Sequence, residues 1–385
     1  YERFIVHAGV TMDRWYNDDP DGLDIVRRLW TRSEDTYIGY QHPFASIYFG
    51  RFNNHWTAIN QGGVGITDNT NSFDQLSWRI GPDKISLRSF VGELDNLGPN
   101  GSFEERDRFK DGNIRRYIAM HRVDWRPNNN WAFTIYEGVL YSGANAGLSL
   151  NYGNPLHFLT FVSDNNPKNF ENNLMIGGFI WGYYKGFTVN GQVALDDVII
   201  NNRGEAREVG ELEPASAAIT FSVSNANLFK NWNIGLETEI ISSQVFSTDQ
   251  TEGQWSFAQR GLATNFTDYA YISLFGDYYG FNNRLEGLRV TPSLDILLQG
   301  EQDLRLPLND DSGPFILSGN TQSTVRPGLR GFYQPSKRWW LRFDLGLNVT
   351  QDKNNIIGND ETDFVGLITA GVRFSRLGDI QFDQN

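Results

Sequence analysis

The 385-residue sequence contains no cysteine. Disulfides, thiolate metal sites and cysteine nucleophiles are excluded together. It also lacks any run of about 18 apolar residues, so no transmembrane helix can be drawn. Basic residues are in deficit, 33 Lys and Arg against 46 Asp and Glu, which leaves a net charge of -13. No cluster of Lys and Arg stands out that would neutralise a phosphate backbone, and a nucleic-acid partner is not expected. Histidine occurs five times, at His7, His42, His55, His121 and His157, and no serine sits in a G-x-S-x-G elbow. Nothing meets a catalytic motif test, and the chain is expected not to be an enzyme.

Metal ligation finds little support in the same way. "NDDPDG" sets Asn17, Asp19, Asp21 and Gly22 at calcium-loop places, but the twelfth place holds Arg28 where a bidentate Glu is needed. The acidic runs 308–313 and 358–363 read as solvated turns. No metal and no cofactor are expected. Residue 1 is a tyrosine with no basic, apolar leader after it, and any export signal is expected to have been removed or to lie outside this sequence.

Aromatics are abundant instead, 27 Phe, 16 Tyr and 11 Trp, in a chain only 39% hydrophobic. They fall into long period-two segments. In "RWWLRFDLGLNV" one alternate set is Trp339, Leu341, Phe343, Leu345, Leu347 and Val349; the other is Trp340, Arg342, Asp344, Gly346 and Asn348. "GLRVTPSLDILLQG", "GFTVNGQVALDDV" and "NWNIGLETEII" alternate likewise. Such segments run about 10 residues or more, where globular strands average about five or six. An apolar face repeated on that many strands would need a second sheet or helices to cover it in water, and the sequence supplies neither. Lipid is therefore the solvent expected for that face.

Connection lengths point the same way. Short turns at 126–130, 183–186, 228–231, 280–284 and 334–338 alternate with long polar segments at 95–112, 143–170, 199–213, 244–268, 299–321 and 350–361. Trp131, Trp232, Trp339 and Trp340 stand beside the short turns, where they would form an interfacial girdle. The fold class expected is all-β: a transmembrane antiparallel β-barrel with short periplasmic turns and long extracellular loops, in a bacterial outer membrane. Counting back from a last strand near 362–375 gives 15 strands to Thr36. The segment near Arg3 makes 16, and a further pair in 53–73 or 244–268 would make 18. Residues 1–35 are read as an N-terminal segment with a short helix at 19–30, serving as plug or first strand. Residues 36–375 are the barrel and 376–385 a periplasmic tail.

Several stretches resemble the capsule assembly Wzi family. In 46–78 the likeness rests on Gly50-Arg51, Gly62-Gly63, Asp68-Asn69 and Phe73; in 117–158 on His121-Arg122, Glu137, Gly143 and Asn154-Pro155; and in a third block on Gly191-Gln192 and Asp196-Asp197. The resemblance implies an 18-stranded outer-membrane barrel that binds surface polysaccharide and helps its attachment, without a catalytic site. The lipid bilayer with its lipopolysaccharide is then a partner, with surface polysaccharide and other envelope proteins as further ones. A structural subunit of a larger envelope complex and a porin-like solute channel are the alternatives.

Two sets of residues carry the functional expectations. Trp56, Asn60, Gln61, Tyr141 and Trp255 combine rings with amides, the combination that sugars recruit; the competing reading makes the rings girdle or packing residues. The segment "NNHWTAINQGG" is accordingly either a glycan-binding mouth or a plug that enters the barrel. Arg79, Arg88, Arg122, Asp124, Glu237, Glu239, Arg289, Asp295, Arg330, Arg342 and Asp344 would face the lumen and form a charge network. Strict alternation sends Glu137 toward lipid, and a bulge is expected there.

Overall fold

The computed structural model describes residues 3–13, 30–57, 62–98, 113–154, 156–164, 171–196, 216–248, 250–280, 285–304 and 314–372. The segment 14–29, which includes most of the expected helix, and the expected tail lie outside them. Sixteen strands form one antiparallel sheet in which every strand pairs with its neighbours along the chain. In the first half these are β1 (Arg3–Asp13), β2 (Trp30–Gln41), β3 (Ala45–Phe52), β4 (Phe73–Ile80), β5 (Ile85–Glu93), β6 (Arg115–Asn128), β7 (Trp131–Gly143) and β8 (Glu171–Tyr184). The second half adds β9 (Phe187–Asp196), β10 (Ser216–Phe229), β11 (Trp232–Ile241), β14 (Tyr269–Tyr278), β15 (Leu288–Gln299), β16 (Gln322–Tyr333), β17 (Trp339–Gln351) and β18 (Glu361–Val372). Between β11 and β14 lies a separate two-residue ribbon, β12 (Ser256–Phe257) with β13 (Arg260–Gly261). Among the described residues β1 and β18 end the sheet order. The sheet already begins ahead of residue 36, since β1 and β2 pair from Arg3 with Gln41 to Asp13 with Trp30.

Alternation decides which way each side chain points. Trp339, Leu341, Leu347 and Val349 are exposed on the outer face of β17, while Gly346 and Thr350 are buried on the inner one. The same parity holds on β15, where Leu294 and Ile296 are exposed and Thr291 and Asp295 buried. This is the transmembrane antiparallel β-barrel with lipid-facing apolar residues, and no described helix is long and apolar enough to cross a membrane. The strand ends joined by β1–β2, β3–β4, β5–β6, β7–β8, β9–β10, β11–β14, β15–β16 and β17–β18 lie at one rim of the sheet, and those joined by the other neighbouring pairs lie at the opposite rim.

The pair of extra barrel strands sought in 53–73 or 244–268 is not among the described residues there. Both segments turn into the barrel and pack on each other, and β12–β13 is a ladder within the second. Nor does β7 bulge at Glu137, because its register with β6 runs unbroken from Arg115/Gly143 to Trp125/Phe133. In the expected acidic turn 358–363, the Lys353 amine reaches Glu361 and lies 3.6 Å from Asp363.

Candidate functional site

The plug is built from two segments far apart in sequence. Its first strip, 53–57 and 62–72, folds on itself through Trp56 N–H to Ile66 O at 3.0 Å. It joins the second strip, 242–268, through Thr67 N–H to Leu262 O at 2.8 Å, Asn69 Nδ2 to Gly261 O at 2.8 Å, and Trp255 Nε1 to Gly65 O at 2.9 Å. Val64, Ile66, Val245, Phe246, Trp255 and Leu262 become its buried apolar centre, against Phe90, Met120 and Tyr136 of the wall. The wall adds polar ties. The fully buried Arg116 donates to Glu252 O at 3.0 Å and Gln254 O at 2.6 Å while pairing with Asp95 at 2.7 Å. Asn173 Nδ2 donates to Gly253 O at 3.0 Å, and Gln192 Nε2 to Thr57 Oγ1 at 2.6 Å. Backbone carbonyls held in a lumen need donors, and these side chains supply them.

The rings expected to stack on sugars are therefore occupied elsewhere. Trp56 is 6% exposed, edge-on to Phe90 at 5.2 Å and beneath the Arg122 guanidinium at 4.8 Å. Trp255 is fully buried in the plug. Tyr141 is also fully buried, on the outer wall, stacked between Tyr117 and Tyr152. None presents a free face, because each ring's apolar area is spent on packing. Asn60 and Gln61 lie outside the described residues.

Under the plug, toward the short-turn rim, are two adjoining cavities of about 660 and 1010 Å³ that share Asp83, Asp124 and Arg126. Their lining holds Arg3, Arg79, Lys84, Arg88, Arg122 and Arg126 against the two carboxylates Asp83 and Asp124. Six cations and two anions meet here in a chain of net charge -13. Register makes the concentration sharper still. Arg79 is opposite Arg88 across β4–β5, and Arg88 is opposite Arg122 across β5–β6, so three inward arginines form one row. Like charges directly opposite destabilise a sheet. Asp124 offsets part of this, 3.0 Å from Arg88 Nε, 3.3 Å from Arg122 NH2, and 2.7 Å from its donor Thr134 Oγ1. Asp83 holds Arg79 at 3.0 Å. Half-buried Tyr48 and Trp181 add rings to the same walls. Such a vestibule suits an anion carried on a body with apolar faces.

The other expected lumen charges separate into pairs and clusters. Arg289 meets Asp277 at 2.8 Å, and Asp344 meets Arg326 at 2.7 Å. Asp295 accepts from Tyr271 at 3.1 Å, Ser273 at 2.5 Å and Ser293 at 3.1 Å, and Glu239 accepts from Tyr269 at 2.8 Å. Glu237 is buried on the same wall. Arg330 and Arg342 line a separate cavity of about 640 Å³ with Arg289. The network is thus several local groups rather than one.

Sequence reasoning passed over Arg116, although the alternation that points Arg122 inward points Arg116 inward too. It also passed over Asp268, which is fully buried and accepts from Leu317 N–H at 2.5 Å and Gln302 N–H at 3.2 Å, tying the 300–321 connection to the plug. No local signal marks Asp268, because its partners are 34 and 49 residues away.

No protein-family model matches the chain, and the comparison with curated proteins gives no match. Solved structures do. The fold is similar to that of Wzi, an Escherichia coli outer-membrane protein involved in group 1 capsule assembly and described as a carbohydrate-binding β-barrel. The TM-score is 0.57 at 11% identity, over 89% of this chain and 70% of that one. OccK3 (OpdO) of Pseudomonas aeruginosa gives a TM-score of 0.50 at 10% identity, over 90% of this chain and 83% of that one. These likenesses establish the fold, an outer-membrane type of β-barrel.

Proposed function

We propose that this chain works in the bacterial outer membrane as a non-catalytic barrel that binds an acidic surface polysaccharide. The observation that carries the reading is the Arg79–Arg88–Arg122 row beneath a plug packed on the lumen wall. A carboxylate-bearing sugar would take hydrogen bonds and charge from Arg88 and Arg126, and lay apolar ring faces on Tyr48 or Trp181. The Wzi description, a carbohydrate-binding barrel, supports the same class of ligand. With short turns periplasmic, the vestibule opens to the periplasmic side, and the polysaccharide would be bound there before it reaches the surface.

The test is titration calorimetry of the purified barrel with an oligo-uronate and with a neutral oligosaccharide of equal length. Binding of the uronate alone is expected, weakening as salt rises. Arg88→Gln and Arg126→Gln should each weaken it roughly tenfold, about the worth of one charge-assisted hydrogen bond. Equal binding of the neutral sugar would overturn the reading. The porin-like alternative is separated by planar-bilayer recording, where a plugged binder conducts little and a channel passes steady current.

A further inference from the structure

The outer wall over β6 and β7 departs from the rest of the lipid belt. Toward the short-turn rim its outward residues are bare: Val123 is 45% exposed and Ile135 70%. The next ones up, His121, Ala119, Val139, Tyr117 and Tyr141, are buried, although they point away from the lumen. What covers them is the connection from β7 to β8, which folds back down the outside. Its two short helices are α1 (Leu150–Gly153) and α2 (Leu159–Asp164). Ala146, Tyr152 and Leu159 pack on Tyr117, Ala119, Val139 and Tyr141, with Val162 and Leu174 at the edge. Two hydrogen bonds fasten it, Leu159 N–H to Glu137 Oε2 at 3.0 Å and Ser149 N–H to Tyr141 Oη at 3.2 Å. Glu137 also lies 3.7 Å from His121 Nδ1.

The depth of this attachment matters. Glu137 is six residues from either end of β7, Trp131–Gly143, and so sits midway along a strand whose outer face meets lipid. A carboxylate there is costly unless shielded and bonded. The covering segment has the composition such a place demands. From Ala144 to Ser163 it contains no Lys, Arg, Asp or Glu, whereas the connections 95–112 and 199–213 are dense in charge. Its outer side carries Leu148, Leu150, Leu156, Phe158 and Phe161, each between 63% and 93% exposed. These residues continue the apolar belt of the neighbouring strands outward by one layer.

We infer that the 146–163 segment is a lipid-inserting clasp: its outer apolar residues are embedded in the acyl chains of the leaflet at the long-loop rim, and its inner side seals the His121–Glu137 pair from those chains. The occupant is lipid because the surface is continuous with the barrel's own lipid-facing wall and is free of charge.

The absence of native cysteine makes the test direct. Single cysteines at Leu150, Phe158 and Phe161, with Ile135 as a belt control and Asn145 as a loop control, are spin-labelled in the full chain and reconstituted in phospholipid vesicles. Accessibility to oxygen and to a water-soluble nickel chelate is then read by electron paramagnetic resonance. The clasp labels are expected to follow Ile135, with oxygen favoured over the chelate by several-fold. Labels that follow Asn145 would overturn the inference. If a label disturbs the fold, quenching of the same sites by brominated acyl chains, read with a small bimane label, decides it: quenching supports insertion and its absence refutes it.

Discussion

Arg88 stands directly opposite Arg122 across the β5–β6 ladder, with one carboxylate, that of Asp124, within 3.3 Å of both guanidinium groups. A sheet gains nothing from two facing arginines. The arrangement holds because Asp124 neutralises one charge and because Arg122 also lies over the rings of Trp56 and Phe179, at 4.8 and 5.7 Å. One positive charge in excess is left on this part of the wall, and it faces the vestibule.

Asp124→Asn removes the shared carboxylate. Arg122 is nearly buried and loses its only ion pair among those described, while Arg88 is partly wet and screened. The loss of stability should be about 2 kcal/mol, below the range for a fully buried pair because of that exposure. Urea unfolding in detergent micelles measures it, and adding Arg88→Met should recover part. An Asp124→Asn barrel as stable as the parent would show that the row is not held by this pair.

Trp56→Ala opens a void between plug and wall, where the ring meets Phe90 and Arg122. A loss of about 3–5 kcal/mol is usual for emptying such a site. Conductance in planar bilayers should rise at the same time, because the strip that packs inside the lumen loosens. Unchanged melting temperature together with unchanged current would mean that Trp56 does not hold the plug.

Gly177 faces the lumen where a Cβ would come within 2.4 Å of both the Tyr136 ring end and the Val193 carbonyl oxygen. Gly177→Ala should therefore destabilise the barrel by about 1–3 kcal/mol, the usual cost of overpacking. Tyr136→Leu in the same chain should relieve only part, since the Val193 carbonyl is backbone and stays in place. Thermal unfolding followed by gel mobility reports both. Full rescue by the second change would move the clash to the side chain alone.

Orientation is checked by single cysteines at Ile357, 76% exposed between β17 and β18, and at Lys337 in the opposite short turn. A membrane-impermeant maleimide should label Ile357→Cys on intact cells and Lys337→Cys only after lysis. The reverse pattern would put the basic vestibule at the cell exterior.

The period of two, the length of the strands and the alternation of short and long connections are local properties, and each was legible in the residues of one strand or turn. They determined the barrel and the inward or outward alternation of its strand residues. What a lumen-facing arginine stands beside was not legible, because register is set by pairing between strands. Arg79, Arg88 and Arg122 become a row only when β4, β5 and β6 are aligned. Trp56 and Trp255 read as sugar platforms or as packing, and their burial rests on contacts such as Trp255 with Gly65, 190 residues apart. Glu137 shows both sides of the division in one residue. Alternation correctly sent its side chain outward, while the shield that makes this tolerable comes from Leu159, 22 residues on, in a segment whose folding back no local pattern could specify. Periodicity fixes a direction because it is a property of backbone geometry; what waits in that direction is fixed by long-range packing, which only the folded chain brings together.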